Sequence, residues 1–419
     1  MGIVFFIEKY LWLLVTICYS YQLFYILYVL AAKKETNEAV EGKDHKFGII
    51  ISARNEENVI GQLIDSIDRQ NYPSELIDVL VIADNCTDNT ANLCRQKGAI
   101  VFERFNKEKV GKGYALRFLF ENLFVDENDY DAYIVIDADN LLDKNYIKEM
   151  NAVYNKGYRV VTSYRNSKNY ASNWISAGYS LWFLRESKYL NEARMRLHTS
   201  GAISGTGFLI SKEIIEEKGG WPYYLLTEDI EFTTDYVIEG KKVGYAKNAI
   251  LYDEQPVTFK QSWDQRLRWA KGFYQVIGKY GKRLAHNIVV KRSFSCFDIL
   301  MSIFPAVFLT MFSISINIVK FLYALTLPKV PTTYFLPLFT YILSCYAFIF
   351  VMGLITTITE WKNIHCKTSQ KIFYLFTFPL FMLTYVPIAI VAMFKKVQWK
   401  PIAHSVTTDV EQMEAIINK

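Results

Sequence analysis

The sequence lacks the patterns of several large protein classes. Its six cysteines contain no C-x-x-C pair and its five histidines are scattered, so neither a disulfide framework nor a zinc site is expected. It contains no G-x-G-x-x-G and no G-x-x-x-x-G-K-[ST], which argues against a dinucleotide fold and a P-loop. A net charge of +5 over 419 residues gives no sign of a nucleic-acid partner. The cysteines are expected to be reduced, in a reducing compartment.

What the chain has in excess is apolar residues, which gather in four runs near its ends. Hydrophobic residues make up 51% of the sequence and its mean hydropathy is +0.08, more apolar than an average soluble enzyme. Residues 10–32 predict a first transmembrane helix, and residues 294–327 and 334–358 predict two more, because each run is long enough to cross a bilayer.

The fourth run, residues 372–394, contains Pro379 and Pro387, which break or kink a helix. Lys371 precedes this run and Lys395 follows it, and basic flanks favour the cytoplasmic side. We therefore expect an interfacial or re-entrant element here, with three crossings in all, the N-terminus outside and the C-terminus inside. A fourth crossing is the alternative.

Between the membrane runs the sequence alternates strand-like and helix-like patterns. Short apolar runs such as residues 47–52, 79–83 and 133–136 are typical of buried parallel strands. The sequence thus predicts an α/β domain with a mostly parallel sheet, flanked by one N-terminal and two or three C-terminal membrane helices plus interfacial helices. The expected segments are a membrane helix (1–32), a cytoplasmic domain (33–253), an interfacial helix region (254–293), membrane and interfacial helices (294–394) and a cytoplasmic tail (395–419).

Polar side chains follow three of the predicted strands. The first strand runs into residues 52–57, the second into Asp84, and a later one into Asp137-Ala138-Asp139. Ligands of such sheets bind at the carboxyl ends of the strands. Alternate carboxylates in a bend can converge on Mg²⁺ or Mn²⁺, although such triplets are also common in solvated turns.

Two further motifs allow both a structural and a chemical interpretation. In Thr227-Glu228-Asp229 the acids either begin a helix or supply a general base, Asp229. A helix through residues 265–269 would put Gln265 and Arg268 on one face, with Trp269 beside them. These residue types suit either a membrane boundary or a diphosphate and a sugar ring.

Taken in order, these motifs resemble the membrane-embedded inverting glycosyltransferases of family two, which include cellulose, hyaluronan and chitin synthases and ceramide glucosyltransferase. The Lys112-Gly113 turn and Gly205-Thr206-Gly207 also match, and the resemblance covers residues 47–272 and the arrangement of membrane runs. It implies a GT-A fold, a UDP-sugar donor and Mg²⁺ or Mn²⁺.

The resemblance also implies roles for individual residues. Asp229, next to Glu228, would be the catalytic base, and Asp139 the metal ligand. The nucleotide-sugar would be bound by Ser52, Arg54, Glu56, Asp84, Lys112, Asp137, Gln265 and Arg268. The acceptor would be bound by Gly205, Thr206 and Trp269.

The tail after the last apolar run contains Trp399, Lys400 and His404. Processive members of the glycosyltransferase family that this sequence resembles carry a gating segment near this position, and that segment closes over the nucleotide. A basic flank that contacts the membrane surface is the alternative.

The expected function is a processive synthase in the plasma membrane, with a cytoplasmic catalytic domain, that extends and secretes a β-linked polysaccharide such as a β-glucan from UDP-glucose. The alternative is a non-processive enzyme that adds one sugar to a membrane lipid. A non-catalytic sugar-binding or transport component is a third interpretation, which the presence of Asp139, Asp229 and Arg268 disfavours. Only three crossings leave little room for a polymer path, and accessory subunits could contribute.

Overall fold

A mixed sheet of eight strands forms the centre of the globular domain. The computed structural model describes residues 2–32, 42–124, 129–326, 336–399, 404 and 410–417. The strands are β1 (Phe47–Ala53), β2 (Ile77–Asp84), β3 (Ile100–Arg104), β4 (Ala132–Asp137), β5 (Leu141–Leu142), β6 (Val160–Ser167), β7 (Phe208–Ser211) and β8 (Gly244–Asp253). Their order in the sheet is β3-β2-β1-β4-β7-β6-β8-β5. Four of the seven pairings are parallel, so the predicted α/β fold with a mostly parallel sheet is confirmed.

Helices cover both faces of this sheet. They are α2 (Ile60–Asp68), α3 (Thr90–Gln96), α4 (Lys112–Leu123), α5 (Tyr146–Asn155), α6 (Trp174–Arg185), α7 (Glu192–Arg196), α8 (Lys212–Glu217) and α9 (Glu228–Ile238), with α1 (Gly2–Ala31) before them. Successive strand residues face opposite sides, so Ile49 and Ile51 pack with α2 and Ile50 packs with α4. Burial on both sides explains the continuous apolar runs of the central strands.

The strand register brings the carboxyl ends of the central strands together. Ala53 at the end of β1 lies opposite Ala83 in β2, and Ser52 lies opposite Asp137 at the end of β4. The polar residues that follow these strands therefore meet at one edge of the sheet.

The C-terminal part is helical. It comprises α10 (Phe259–Val289), α11 (Phe294–Ile303), α12 (Pro305–Ala324), α13 (Leu336–Thr359), α14 (Thr368–Leu383), α15 (Tyr385–Phe394) and α16 (Val410–Ile417). By length and composition, two helical stretches of the described chain can cross a membrane, Phe339–Thr359 and Thr368–Phe394. The pair Phe294–Ile303 and Phe308–Ala324, bent by 50°, would be a third. In α1 the described apolar stretch, Thr16–Ala31, is shorter than these candidate membrane spans.

By length and composition, the fourth apolar run also fits the alternative to the expected interfacial or re-entrant element, which is a fourth crossing. Thr368–Phe394 is 27 residues long with a mean hydropathy of 2.0, which makes it long and apolar enough to cross. Pro387 lies in the first turn of α15, where a missing N–H costs little, whereas Pro379 lies inside α14. Near the break between α14 and α15, Arg266 donates hydrogen bonds to the carbonyl of Phe381 and the hydroxyl of Thr384.

Candidate active site

Asp137 ends β4 at the edge where the strands meet, and the turn before β7 holds it. Its backbone amide donates a hydrogen bond of 2.9 Å to the hydroxyl of Thr206, which in turn donates to Asn140 at 2.7 Å. Thr206 is buried. It was predicted to bind the acceptor, and in the structure it braces the loop after β4.

Lys112 connects the end of β4 to the Gly205 turn. Its Nζ lies 2.5 Å from Oδ1 of Asp137 and donates to the carbonyl oxygen of Gly205 at 2.8 Å. Burial alone would lower the pKa of Lys112, but the carboxylates of Asp137 and Glu228 raise it, so the amine stays charged. A fixed positive charge here suits the phosphates of a nucleotide.

Asp229 lies in the first turn of α9, on the other side of the same turn. The backbone amide of Gly205 donates to its Oδ2 at 2.6 Å. Burial raises the pKa of Asp229, whereas the amides of Ile230 and Gly205 and the charge of Lys112 lower it in part. Burial and the charge of Asp229 raise the pKa of Glu228 to about 7. A carboxylate that is held in place with a raised pKa is suited to accept a proton from a hydroxyl.

Asp139 is buried, with 4% of its surface exposed. Burial raises its pKa to about 7, since desolvation disfavours the charged form. Nε2 of His404 lies 3.9 Å from its Oδ2. Among the described residues no group of three His, Cys, Asp or Glu side chains is arranged to hold a metal ion. Against the effect of burial, Asp139 and Glu56 raise the pKa of His404 to about 10, so the imidazole is charged and pairs with these carboxylates. Asp139 itself is a carboxylate of the kind that Mg²⁺ and Mn²⁺ bind, and a cation there would take further oxygen ligands from a bound diphosphate.

The tail reaches the same edge of the sheet. The Arg54 guanidinium lies 5.4 Å from the centre of the Trp399 ring, within range of a cation–π interaction. Nδ1 of His404 lies 3.0 Å from Oε2 of Glu56. Lys400, the third residue of the predicted gating segment, lies outside the described residues. After it, α16 packs on α2, where Glu411 pairs with Arg69 at 3.2 Å.

Two predicted nucleotide ligands lie deeper in the sheet edge. Asp84 is buried and pairs with Arg104 at 2.5 Å, and burial raises its pKa despite that partner. Ser52 occupies the penultimate position of β1 and is half-buried.

The residues from 265 to 269 lie on α10, as the sequence predicted. The guanidinium of Arg268 donates to the carbonyl of Leu226, one residue before Thr227-Glu228-Asp229, at 2.8 Å. Trp269 packs edge-on against Tyr179, with ring centres 5.7 Å apart. The side-chain oxygen of Gln265 is buried and has no hydrogen-bond partner among the described residues, which leaves it available to a ligand. Arg268 thus lies close to the predicted base, and Trp269 forms part of an aromatic cluster.

Sequence reasoning missed a polar network behind the site. Asp253, at the end of β8, accepts hydrogen bonds from Asn140 at 2.9 Å, from Arg165 at 2.8 Å and from Gln255 at 2.8 Å. Arg165 lowers the pKa of Asp253 against the effect of burial. Asn140 directly follows the predicted metal ligand Asp139, so its position in the sequence indicated a place near the site. Arg165 and Asp253 belong to no recognised motif, so the sequence did not indicate them.

Together these contacts join Asp137, Lys112, Gly205 and Asp229 in one chain of 2.5, 2.8 and 2.6 Å contacts. The edge of the sheet therefore combines the fixed carboxylate of Asp229 and the buried carboxylate of Asp139 with two cations, Lys112 and Arg268. Such a site can remove a proton from a hydroxyl and stabilise an anionic leaving group.

Comparison with known proteins agrees with this geometry. Among curated proteins the chain is similar to a probable glycosyltransferase of Bacillus subtilis, with 28% identity over 61% of this chain and 60% of that protein. It is also 25% identical to a beta-monoglucosyldiacylglycerol synthase of Synechocystis, over 54% of this chain and 47% of the other. The matched segments thus span about half to three-fifths of these relatives.

Among solved structures, the fold resembles the mannosyltransferase PcManGT from Pyrobaculum calidifontis, solved in complex with GDP-Man and Mn²⁺. The TM-score is 0.58 and the identity 14%, with 92% of this chain and 99% of that chain covered. Residues 45–272, which hold every strand and nearly all of the site, match the description glycosyltransferase like family 2. The chain is therefore a member of glycosyltransferase family 2, with the GT-A fold.

Proposed function

We propose that the protein is a membrane-integrated, inverting glycosyltransferase that extends a β-linked polysaccharide from a UDP-sugar. The favoured donor is UDP-glucose. The observation that carries this proposal is the contact chain from Asp137 through Lys112 and Gly205 to Asp229. It connects the carboxylate that we propose as the base to the amine that we propose binds phosphate. The apolar C-terminal helices support a membrane location, with the catalytic domain on the cytoplasmic side.

In this mechanism Asp229 takes the proton of the acceptor hydroxyl, which then attacks the anomeric carbon in line with the departing UDP. In-line displacement inverts an α-linked donor to a β-linked product. Lys112 and Arg268 stabilise the diphosphate charge as it develops, and the Gly205 amide keeps Asp229 in position. Asp139 would hold a divalent cation, whose chemistry is to neutralise the diphosphate.

The tail contributes to donor binding in this proposal. Trp399 and His404 lie over Arg54 and Glu56, so an ordered tail would cover the nucleotide and exclude water. Ser52 and Asp84 would line the nucleoside side of the same cleft, and Gln265 would accept a hydrogen bond from the donor or the acceptor.

A second candidate is the transfer of one sugar to a membrane lipid. It is favoured by the similarity to beta-monoglucosyldiacylglycerol synthases, whereas poly-beta-1,6-N-acetyl-D-glucosamine synthases of Staphylococcus aureus, 24% identical over 60% of this chain, favour a polymer. The few membrane helices also suit a lipid acceptor, because they leave little room for a polymer path.

The test is turnover by the full chain purified in detergent. It is incubated with Mn²⁺ or Mg²⁺ and, separately, with UDP-glucose, UDP-GlcNAc, UDP-GlcA and GDP-mannose, and nucleotide release is measured. Digestion with linkage-specific glycosidases and extraction of lipids then separate polymer from glycolipid. Absence of nucleotide release with every donor, from protein that binds UDP, would overturn the proposal.

A further inference from the structure

A small polar cavity lies beside the turn that holds Asp229. Six of its lining residues come from β6, from α6 and the residue that follows it, and from the turn before β7: Thr162, Arg165, Phe183, Glu186, Ser204 and Thr206. The cavity has room for about one water-sized group. Ser204 directly precedes Gly205, whose amide binds Asp229, so the cavity and the base lie on neighbouring residues of one turn.

An irregular helical segment lines one side of the cavity. Between α6 and α7 the chain forms a π-helical segment, Glu186–Asn191, whose wider turn is uncommon and is often associated with functional sites. The hydroxyl of Ser187 accepts a hydrogen bond from the backbone amide of Arg165 at 3.2 Å. Asn191 accepts one from the amide of Ala202 at 3.0 Å. These bonds tie the wide turn to β6 and to the chain leading into the Gly205 turn.

Arg165 forms one wall of the cavity and is held rigidly. It binds Asp253 and donates to the carbonyl of Ser204 at 2.9 Å, and its guanidinium lies 3.7 Å from the centre of the Phe183 ring. These contacts use part of its five N–H donors. The remaining donors have a fixed direction, which favours the recognition of a polar group rather than a loose charge interaction.

Glu186 faces Arg165 across the cavity. Burial raises the pKa of Glu186, although Arg165, Arg194 and the Ser204 hydroxyl lower it in part. In the described part of the chain the ion pair of Arg165 is with Asp253 and none joins it to Glu186. Glu186 therefore retains acceptor capacity toward the cavity.

We infer that Glu186 and Arg165 bind a second hydroxyl of the acceptor, next to the hydroxyl that Asp229 deprotonates. A hydroxyl both donates and accepts, so it can donate to Glu186 and accept from Arg165 at once. The acceptor is then a sugar terminus, or another polyol, rather than a lipid with a single hydroxyl. The inference rests on the proposed function, which supplies the role of Asp229.

The test compares acceptors and variants in the full chain purified in detergent. The acceptors are a glucose oligosaccharide, an N-acetylglucosamine oligosaccharide and dioleoylglycerol, which has one hydroxyl. The sugar acceptors are expected to be used and dioleoylglycerol not. Glu186→Gln is expected to raise the KM of the sugar acceptor about tenfold, the effect of weakening one charge-assisted hydrogen bond. The UDP affinity of Glu186→Gln should stay close to that of the wild type. The control is Glu213→Gln, a change at a surface ion pair with Arg159, which should leave both the acceptor KM and the UDP affinity unchanged.

Deoxy acceptors test the same contact in the wild-type chain, without relying on the folding of a variant. Removing the one acceptor hydroxyl that Glu186 binds should raise the acceptor KM of the wild type. The same removal should change the acceptor KM of Glu186→Gln little, because that contact is already weakened. Equal use of dioleoylglycerol, or additive effects of deoxygenation and Glu186→Gln, would overturn the inference while leaving glycosyl transfer intact. Loss of nucleotide release in the wild type with every acceptor would instead refute the proposed function.

Discussion

Nδ1 of His404 lies 3.0 Å from Oε2 of Glu56, although 348 residues separate the two along the chain. Glu56 follows the first strand of the sheet, and His404 follows the last long apolar stretch of the chain. The contact closes the tail over the edge where the predicted donor ligands meet. Trp399, above Arg54, lies in the same segment. Trp399 and His404 thus lie against two of the predicted donor ligands, and we expect removal of the tail to affect donor binding first.

Replacing Trp399 with alanine should weaken donor binding. The ring lies 5.4 Å from the Arg54 guanidinium, and such contacts contribute about 0.5–2 kcal/mol. We expect the KM for the nucleotide-sugar to rise about three- to tenfold, with a smaller change in kcat. Lys395→Ala, an exposed position just after α15, is the control. An unchanged donor KM in Trp399→Ala would show that the tail does not cover the donor.

Asp229→Asn should abolish transfer without preventing nucleotide binding. Asparagine keeps the size of the side chain but cannot take a proton, so we expect kcat to fall by about 10³-fold or more. UDP affinity, measured by calorimetry in the presence of Mn²⁺, should stay within a few-fold. Glu217→Gln, a surface change at the Lys241 pair, should leave both unchanged. Retained polymerisation or glycolipid synthesis in Asp229→Asn would remove the residue from its role as base.

The pH profile should show an acid limb set by Asp229. Burial raises its pKa above the ordinary value, and the base works only when deprotonated, so kcat/KM should fall as the pH drops through that raised pKa. Lys112 lowers the pKa of Asp229. Lys112→Met should therefore move the acid limb to higher pH, besides weakening nucleotide binding. A limb that does not move would mean that another group limits the rate.

The sequence predicted the central sheet and the order of the site motifs because both depend on local patterns. Apolar runs identify buried strands, and polar residues at strand ends, such as Asp137, follow from the topology. It could not predict Arg165 and Asp253, because their pairing depends on how β6 and β8 lie side by side. It also missed the part that Thr206 plays in bracing the loop after β4, which depends on its hydrogen bond to Asn140.

The fourth apolar run shows a second limit. Pro379 and Pro387 predicted a break, and the helix is interrupted at Thr384, but the two parts remain one stretch long enough to cross. Contacts beside this interruption come from Arg266, more than 100 residues earlier, which donates hydrogen bonds to the carbonyl of Phe381 and the hydroxyl of Thr384. A pattern confined to residues 372–394 contains no sign of that partner.

Removing divalent cations should stop nucleotide release if Asp139 holds a metal. A chelator should abolish turnover, and added Mn²⁺ or Mg²⁺ should restore it. Asp139→Asn should lower the affinity for UDP in the presence of Mn²⁺, because an amide is a weaker ligand than a carboxylate. Asp264→Asn, at a surface pair with Lys260, serves as control. Full turnover in chelator would contradict the assignment of Asp139.

Asp298→Asn should destabilise the chain where the first helix meets the C-terminal helices. Asp298 is buried and binds Arg194 through two bonds of 2.7 Å, and the hydroxyls of Tyr21 and Tyr25 donate to it at 3.0 and 2.8 Å. The amide would leave the buried Arg194 without its counter-charge, at a cost of about 3–5 kcal/mol. Thermal unfolding in detergent measures the loss, with Glu217→Gln as a surface pair expected to cost less than about 1 kcal/mol. Unfolding of Asp298→Asn at the wild-type temperature would show that the contacts of Asp298 with Arg194 and the two tyrosines do not stabilise the packing of α1, α7 and α11.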